Sequence, residues 1–425
     1  MADYTEMWKG LGMDLAAHDA LLGVLGQAYG DVFLSQESRP GGMDYFNFVM
    51  SEVHGLRIQE LLDGKKAGRK VVGCYCVFVP EELVLAAGAT LVGLCAGADF
   101  ALDKVEEIIP RNTCALIKSS FGFKMAKVCP FLESADMVVG ENTCDGKKKA
   151  YEIFAGLVDN LYVMDLPQMK SDQGRELLAA EYSRFAEALE ALTGNKITAE
   201  SLQEGIRLVN EKRQALHRLA ALRAADPAPI SGKDALLINQ VAFYDDPVRF
   251  TASVNALCDE LDERVRAGSG VFPKGTPRVL FSGCPMAVPN WKLVHVVETS
   301  GAVVVGEESC VGERGQRNLV NASGKSLGEL MSALVDRYFE IGCAIFTPNP
   351  GRREHAAAMA KAYGARGVIH YGLNFCQPYA MEAGPLARDL AARGIPVLCV
   401  ETDYGQQDVQ QLKTRVEAFI EMMGA

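Results

Sequence analysis

The stretch VVGCYCVFVPEELVLAAGATLVG, residues 71–93, joins a short β-branched run, a proline that opens a helical segment, and a Gly-Ala turn into a second apolar run. Short β-branched runs that alternate with helical segments are typical of βαβ units and a parallel sheet. The alternation continues through ATLVGLCAG, ADMVVGENTC and NLYVMDLP. The sequence therefore predicts a first α/β domain over residues 71–170.

A second alternation begins near residue 271, with strand candidates in VLFSGCP, AVVVGEESC, CAIFTPNPG, VIHYGLNFC and IPVLCVETD. Its segment GCPMAVPNWKL…GAVVVG echoes GCYCVFVPEEL…GATLVG, since each strand ends at Gly-Cys and a proline precedes the helix. We therefore predict two Rossmann-like domains with parallel sheets, the second over residues 271–425, and regard duplication as a hypothesis. Helical periodicity predicts a helical N-terminal segment over residues 1–70 and a helical linking region over residues 171–270.

The composition is that of an ordinary globular protein, with 49% apolar and 23% charged residues. A net charge of -11 argues against nucleic acid as a partner, because phosphate binding needs a concentrated excess of Lys and Arg. No apolar run approaches the ~20 residues that span a bilayer, and the N-terminus lacks a signal-peptide pattern. We therefore expect a cytoplasmic protein without a membrane partner.

The 12 cysteines are many for a protein of a reducing compartment, where core packing, metal binding or catalysis explains cysteine better than disulfides. Ligands of open α/β sheets bind beyond the carboxyl ends of the strands. The cysteines at or near such positions are Cys76, Cys144, Cys284, Cys310, Cys343 and Cys376, and Cys114 can face the same cleft. Free cysteine also packs as a small hydrophobe, which is our interpretation of Cys74, Cys95, Cys129, Cys258 and Cys399.

The spacing of these cysteines excludes the CxxC of zinc ribbons and the dense CxxCxxC run of bacterial ferredoxins. Any ligands must come singly from distant loops, which suits an iron-sulfur cluster between two domains because each iron of a cubane needs one protein sulfur. Predicted helix starts at DGKKK and PEEL would stabilise bound sulfur. The GKS at residues 324–326 is no Walker A loop, since Leu319 replaces the required glycine.

Several long motifs in one order carry a family resemblance: GCYCVFVPEELVLAAGA, CALIKSSFG, GENTCDGKKKAYE, NWKLVHVVETSGAVVVGEESCVGERG, FTPNPGRRE, GVIHYGLNFCQPY and ETDYGQQDVQQLKTRVEAFIE. They resemble the 2-hydroxyacyl-CoA dehydratase family and, within it, the double-cubane-cluster proteins, a reductase branch. The resemblance runs from about residue 71 to the C-terminus, with the helical middle matched loosely.

The resemblance implies an oxygen-sensitive enzyme that holds iron and sulfur between its two domains. Dehydratase subunits carry a single four-iron cubane on three cysteines, whose matching positions here are Cys76, Cys114 and Cys376. The reductase branch holds two cubanes joined by a bridging sulfide on six cysteines. The resemblance adds Cys144, Cys310 and Cys343 as the further candidates, and Cys284 competes with Cys343.

The count of cysteines favours an oxidoreductase: an iron-sulfur reductase component with a double-cubane cluster that reduces a small-molecule substrate. The resemblance implies that a separate ATP-hydrolysing iron-sulfur protein supplies its electrons and that the chain forms a homodimer. The alternatives are a 2-hydroxyacyl-CoA dehydratase subunit, a lyase with one four-iron cluster, and a non-catalytic iron-sulfur carrier.

Candidate proton donors are Glu307 and Glu308 beside Cys310, and His370, for which a core or capping role is the simpler interpretation. Lys147, Lys148 and Lys149 can offset the charge of a cluster, although a solvated helix face explains them as well. For the opening pair we predict that the chain already turns at Cys76 and that Cys74 packs within the strand.

Overall fold

The computed structural model of the chain describes residues 3–424 and contains two four-stranded parallel sheets. The first sheet consists of β1 (Val71–Cys74), β2 (Thr90–Gly93), β3 (Met137–Glu141) and β4 (Leu161–Met164). The second consists of β5 (Arg278–Gly283), β6 (Val303–Glu308), β7 (Gly367–Leu373) and β8 (Val397–Thr402). The strand orders, β2-β1-β3-β4 and β6-β5-β7-β8, are the same. The predicted fold class of two Rossmann-like α/β domains is confirmed.

Helices precede, cover and connect the sheets. The N-terminal segment forms α1 (Thr5–Gly10), α2 (Leu15–Tyr29), a π-helical turn (Gly30–Leu34), α3 (Met43–Ser51) and α4 (Leu56–Lys66). The first domain contains α5 (Glu81–Ala86), α6 (Leu102–Glu106), α7 (Ala115–Met125), α8 (Pro130–Ser134) and α9 (Asp145–Phe154). The middle region contains α10 (Asp172–Thr193), α11 (Ala199–Leu222), α12 (Gly232–Val241) and α13 (Pro247–Arg266).

The second domain contains α14 (Lys292–Thr299), α15 (Glu313–Gln316), α16 (Leu327–Phe339), α17 (Pro350–Ala362), α18 (Gln377–Ala391) and α19 (Val409–Gly424). The boundaries predicted at residues 70, 170 and 270 fall in connections between elements, and their exact places stay a prediction. Among residues 3–424, no helix combines the length and the apolar character needed to cross a bilayer.

Five of the eight strands, the edge strand β6 among them, are buried along their whole length, which explains their β-branched sequences. Every residue of β1, β3, β5, β6 and β7 is buried. Parallel strands covered by helices on both sides have near-continuous apolar sequences rather than alternating ones. The polar side chains that do occur at the strand ends are therefore exceptions that need partners.

The middle region joins the two domains through a buried polar contact. Arg213 of α11 pairs with Glu82 of α5 at 2.6 Å between Nη1 and Oε1, and the hydroxyl of Tyr338 in α16 donates to Glu82 Oε2 at 2.7 Å. Gly205 lets α11 approach, because a Cβ there would lie 2.5 Å from the carbonyl oxygen of Glu82. One helix thus contacts both domains and fixes the cleft between them.

Candidate functional site

A cavity of about 860 Å³ lies between the two domains, at the carboxyl ends of strands from both sheets. This volume is within the range of about 300–1,000 Å³ found for small-molecule and cofactor sites. Nine of the 12 cysteines line it: Cys74, Cys76, Cys95, Cys114, Cys144, Cys284, Cys310, Cys343 and Cys376. The cleft where open α/β sheets bind their ligands is therefore lined by thiols.

All six cysteines singled out as candidate ligands are on this cavity wall. The wall also includes Cys284, the competitor of Cys343, so the structure leaves both as candidates. Cys74 and Cys95, interpreted as packing residues, are on the wall too. Of the remaining three, Cys258 is completely buried in the core, and Cys129 and Cys399 are half-buried elsewhere.

One group of thiols joins the two domains at Cys76 and Cys310. Their sulfurs are in hydrogen-bonding contact, and this contact raises the pKa of the Cys76 thiol and lowers that of the Cys310 thiol. Cys343 lies close enough for Cys310 to influence it, and burial followed by Cys310 raises the pKa of the Cys343 thiol to about 11. We call Cys76, Cys310 and Cys343 the first thiol group.

A second group joins the domains at Cys114 and Cys376. Their thiols are in hydrogen-bonding contact, which raises the pKa of Cys114, and Cys376 also contacts Cys284. Burial raises the pKa of the Cys144 thiol, and Cys114 adds to that increase through its charge. We call Cys114, Cys144 and Cys376 the second thiol group, with Cys284 beside it.

Each member of the second thiol group is the N-cap residue of a helix. Cys114 precedes α7, Cys144 precedes α9 and Cys376 precedes α18. First-turn backbone N–H groups therefore face these sulfurs and oppose the increase in pKa, as those of Lys147 and Gly146 do at Cys144. Unpaired N–H groups and the positive end of the helix dipole favour thiolates. The helix start predicted at DGKKK is confirmed.

Cys74 and Cys76 have different backbone conformations, as predicted, but both side chains reach the cavity. Cys74 is the last residue of β1 and is 4% exposed, whereas Cys76 is half-buried in the turn before Pro80. Both line the cavity, and Cys76 alone is in hydrogen-bonding contact with Cys310. The prediction that the chain turns at Cys76 is confirmed.

The thiols are spread around the cavity instead of meeting at one point. Among residues 3–424, no three His, Cys, Asp or Glu side chains converge closely enough to hold a single metal ion. Thiols from separate loops suit a larger inorganic group, because every iron of a cubane takes one protein sulfur.

The three candidate proton donors do not lie on the cavity wall. Glu307 accepts two hydrogen bonds of 2.6 Å from Arg223, and Glu308 is paired with Arg314. His370 is 2% exposed within β7, and burial lowers its pKa to about 4, so it is neutral near pH 7. The geometry therefore does not support the predicted proton-donor roles. Glu307 and Glu308 are paired with guanidinium groups, and His370 is a neutral, buried imidazole.

Two cations lie near the thiols, and the sequence singled out only one of them, Lys147. Arg314 donates from Nη1 to Cys310 Sγ at 3.5 Å and to the hydroxyl of Tyr379, which lines the cavity. Of the three consecutive lysines, only Lys147 lines the cavity, and it pairs with Glu141 at 3.4 Å. The helical periodicity of α9 could have indicated which of the three lysines faces the cavity. Nothing in the local sequence indicates that Arg314 contacts Cys310.

Comparison with known proteins places the chain in a family. A family model described as the D-component of 2-hydroxyglutaryl-CoA dehydratase matches residues 76–423. "Putative dehydratase subunit YjiM" of Escherichia coli (strain K12) is 36% identical over 376 residues, which cover 88% of this chain and 96% of that protein.

Two further relatives have different named activities. The (R)-phenyllactyl-CoA dehydratase beta subunit of Clostridium sporogenes is 27% identical over 372 residues, covering 84% of this chain and 93% of that protein. A benzoyl-CoA reductase subunit of Thauera aromatica is 23% identical over 356 residues, covering 83% and 90%. Dehydratase and reductase subunits thus occur among the relatives, and the family model spans most of the chain. This chain belongs to the 2-hydroxyacyl-CoA dehydratase family.

Proposed function

We propose that this protein is the iron-sulfur component of a reductase and holds a double-cubane cluster on its two thiol groups. The observation that carries the proposal is that six candidate thiols, three in each group, line one cavity between the domains. The family resemblance implies three protein thiols for each four-iron cubane, so two groups of three match two cubanes. Cys76, Cys310 and Cys343 would hold one cubane, and Cys114, Cys144 and Cys376 the other.

The chain's own residues fit such a group in three ways. The cavity has the volume of a cofactor site, the helix N-termini at the second thiol group favour thiolates, and buried cations stand beside the first. Exclusion of water and hydrogen bonds to sulfur are the means by which proteins adjust iron-sulfur centres. When bound, the cluster would accept and deliver electrons at low potential.

The remaining wall supplies a place for a small substrate. Val77, Ile117 and Phe346 are apolar parts of the lining and exclude water from the thiols. Asn112 and Thr347 add an amide and a hydroxyl that can orient a polar substrate by hydrogen bonds. A mostly apolar site with a few polar groups suits a small organic molecule held beside the cluster.

The electrons would come from a separate ATP-hydrolysing iron-sulfur protein, and the working unit would be a homodimer. The alpha and beta subunits of (R)-phenyllactyl-CoA dehydratase both match this chain, which supports a working unit of two related chains. The ATP-hydrolysing donor and the identity of the two chains follow from the resemblance to the reductase branch. Light scattering of the anaerobically purified protein should give about twice the mass of one chain, and a monomer would contradict the homodimer.

Iron and sulfide analysis after anaerobic purification tests the cluster. We expect about eight irons per chain, which a single cubane of about four irons cannot supply. Protein loaded in this way should consume electrons from an ATP-driven reductase in the presence of substrate. Loaded protein that never consumes electrons would identify a carrier, and protein containing only zinc would contradict every cluster proposal.

A second candidate function is radical dehydration of a 2-hydroxyacyl-CoA by a single-cubane subunit. Five relatives are named dehydratase subunits, and the Cys114–Cys376 contact joins two of the three positions that match the dehydratase motif. Cys76, the third, is in hydrogen-bonding contact with Cys310 instead, which favours the double cubane. About four irons per chain, unchanged in a Cys310→Ser variant, would favour the dehydratase.

A further inference from the structure

Arg314 lies behind the Cys310 thiol with its side chain 1% exposed, and all five of its N–H groups have partners. Nε donates to Glu308 Oε1 at 2.9 Å, and Nη2 donates to the carbonyl oxygens of Glu308 at 2.9 Å and Gly283 at 3.3 Å. Nη1 donates to Cys310 Sγ at 3.5 Å and to the Tyr379 hydroxyl. Because the five donors form a rigid planar fork, four of these bonds determine where the fifth points.

A buried carboxylate holds this fork in place. Glu308 is 1% exposed and also accepts hydrogen bonds at Oε2 from Arg352 Nε at 3.0 Å and from Ser282 Oγ at 2.8 Å. One buried carboxylate therefore lies between two guanidinium groups, and the Nη1 donor of Arg314 is directed at the sulfur.

We propose that Arg314 is a positioning residue of the iron-sulfur centre. Through its charge and its hydrogen bond to sulfur, Arg314 raises the reduction potential of the cubane held by Cys310. The inference rests on the proposed function, in which Cys310 is a ligand. Adding an electron makes a cluster more negative, and a fixed cation and an N–H···S bond stabilise that state. Arg314 would thus make the first thiol group the side of the cluster that is reduced more readily.

The adjacent ion pair supplies a matched control. Glu307 and Glu308 are consecutive residues of β6, so their side chains point to opposite faces of the sheet. Arg223 binds Glu307 through two hydrogen bonds of 2.6 Å, and Arg223 is 3% exposed. Its other hydrogen bond in the described chain goes to the carbonyl oxygen of Val304. Arg223 is nearly as buried as Arg314, but it makes three hydrogen bonds where Arg314 makes five, its Nε has no partner, and none of its bonds goes to a thiol.

The test is a redox titration of the full-length, iron-loaded protein, followed by EPR and visible absorption, for wild type, Arg314→Gln, Arg314→Lys and Arg223→Gln. At equal iron content we expect one midpoint potential of Arg314→Gln to move to a more negative value, with an altered EPR signal. Arg314→Lys keeps the charge and should show a smaller shift in the same direction. Arg223→Gln should retain the wild-type potentials.

Wild-type potentials in Arg314→Gln at full iron content would overturn the inference, and so would an equal shift in Arg223→Gln. If Arg314→Gln does not fold, Arg314→Lys decides, and an unmoved potential there overturns the inference. Failure of the proposed function would be seen in another measurement, namely wild-type protein with no iron or with about four irons that Cys310→Ser leaves in place.

Discussion

The two α/β domains place thiols at equivalent strand ends but surround them with different charges. In the shared strand order, β1, β2 and β3 correspond to β5, β6 and β7. The cysteines at or just after these strands form the pairs Cys74 and Cys284, Cys95 and Cys310, and Cys144 and Cys376. The first domain supplies Lys147 on the cavity wall, with its side chain 14% exposed. In the second domain the cation beside Cys310 is Arg314, whose side chain is 1% exposed and is not part of the wall.

This difference shows that topology alone does not decide what a thiol does. Cys95 donates from Sγ to the carbonyl oxygen of Tyr75 at 3.0 Å and so has a partner within its own domain. Its counterpart Cys310 faces Cys76 of the other domain and a guanidinium group. The fold brings both sulfurs to the cavity, and their neighbours distinguish a packed thiol from a candidate ligand.

The largest expected effect is the loss of iron when a thiol of the first thiol group is removed from either domain. Cys76→Ser and Cys310→Ser should each lose about four of about eight irons, because serine at a ligand position leaves one cubane poorly held. Cys74→Ser should keep its iron and mainly perturb packing. Iron and sulfide analysis after anaerobic purification measures this, and the reverse outcome would show that Cys74 is the ligand of the opening pair.

The ion pairs behind the two sheets should differ in their contribution to stability. Arg223→Met leaves the Glu307 carboxyl buried without its guanidinium partner, a change that typically costs about 3–5 kcal/mol. Lys147→Met should cost only about 1–2 kcal/mol, since burial already raises the pKa of Glu141 and the carboxyl can take up a proton. Urea unfolding of the metal-free variants gives both values.

Lys149→Met is the control for the lysine variant, because that side chain is 74% exposed and should change stability by less than about 0.5 kcal/mol. Equal losses of unfolding free energy in Arg223→Met and Lys147→Met would show that the two ion pairs contribute equally to stability and would contradict the comparison.

The glycines that precede Cys74 and Cys284 offer a smaller test of the same comparison. Gly283 has a φ of +139°, and a Cβ there would lie 2.0 Å from the carbonyl oxygen of Tyr371. A Cβ at Gly73 would meet the Leu94 side chain at 2.4 Å, and a side chain moves more easily than backbone. We expect Gly283→Ala to lower the free energy of unfolding by about 3 kcal/mol and Gly73→Ala by about 1 kcal/mol.

Urea unfolding midpoints of these two alanine variants provide the measurement. A larger loss in Gly73→Ala would indicate that the first sheet is packed more rigidly at its strand end than the second.

The last comparison concerns the contacts of the middle region with each domain. Glu298 of the second domain accepts backbone N–H bonds from Gly232 at 2.6 Å and Lys233 at 3.3 Å, and burial raises its pKa from 4.5 to about 7. Between these values the folded state binds a proton that the unfolded state has lost, so stability falls as pH rises, by up to about 1.4 kcal/mol per pH unit.

Glu298→Gln should remove this slope, as unfolding midpoints at pH 5, 6 and 7 would show. One contact of the middle region with the first domain involves no titratable group, since Asn195 Nδ2 donates to the carbonyl oxygen of Ala87 at 2.9 Å. Asn195→Ala should therefore keep the pH dependence of the wild type, and a flattened profile in that variant would contradict the comparison.

Much of the fold was predictable because burial on both faces gives parallel strands distinctive sequences. The echo of GCYC and GCPM correctly indicated two related sheets, and the strand ends indicated where Cys144 and Cys376 would lie. The partners of Glu307 and Glu308 were not predictable, because the two side chains occupy opposite faces of one strand. They pair with Arg223, which is distant in sequence, and with Arg314 of the short helix α15. The short sequence distance from Cys310 to the two glutamates does not indicate which arginines pair with them.

The sequence by itself determined the α/β architecture, the family and the set of thiols near the carboxyl ends of the strands, since these follow from local patterns and motif order. Only the tertiary structure decided which thiols contact one another, because Cys76 and Cys310 are in different domains joined through α11. It likewise decided that Arg314 faces sulfur and Arg223 does not, since the direction of a buried guanidinium depends on all of its partners at once.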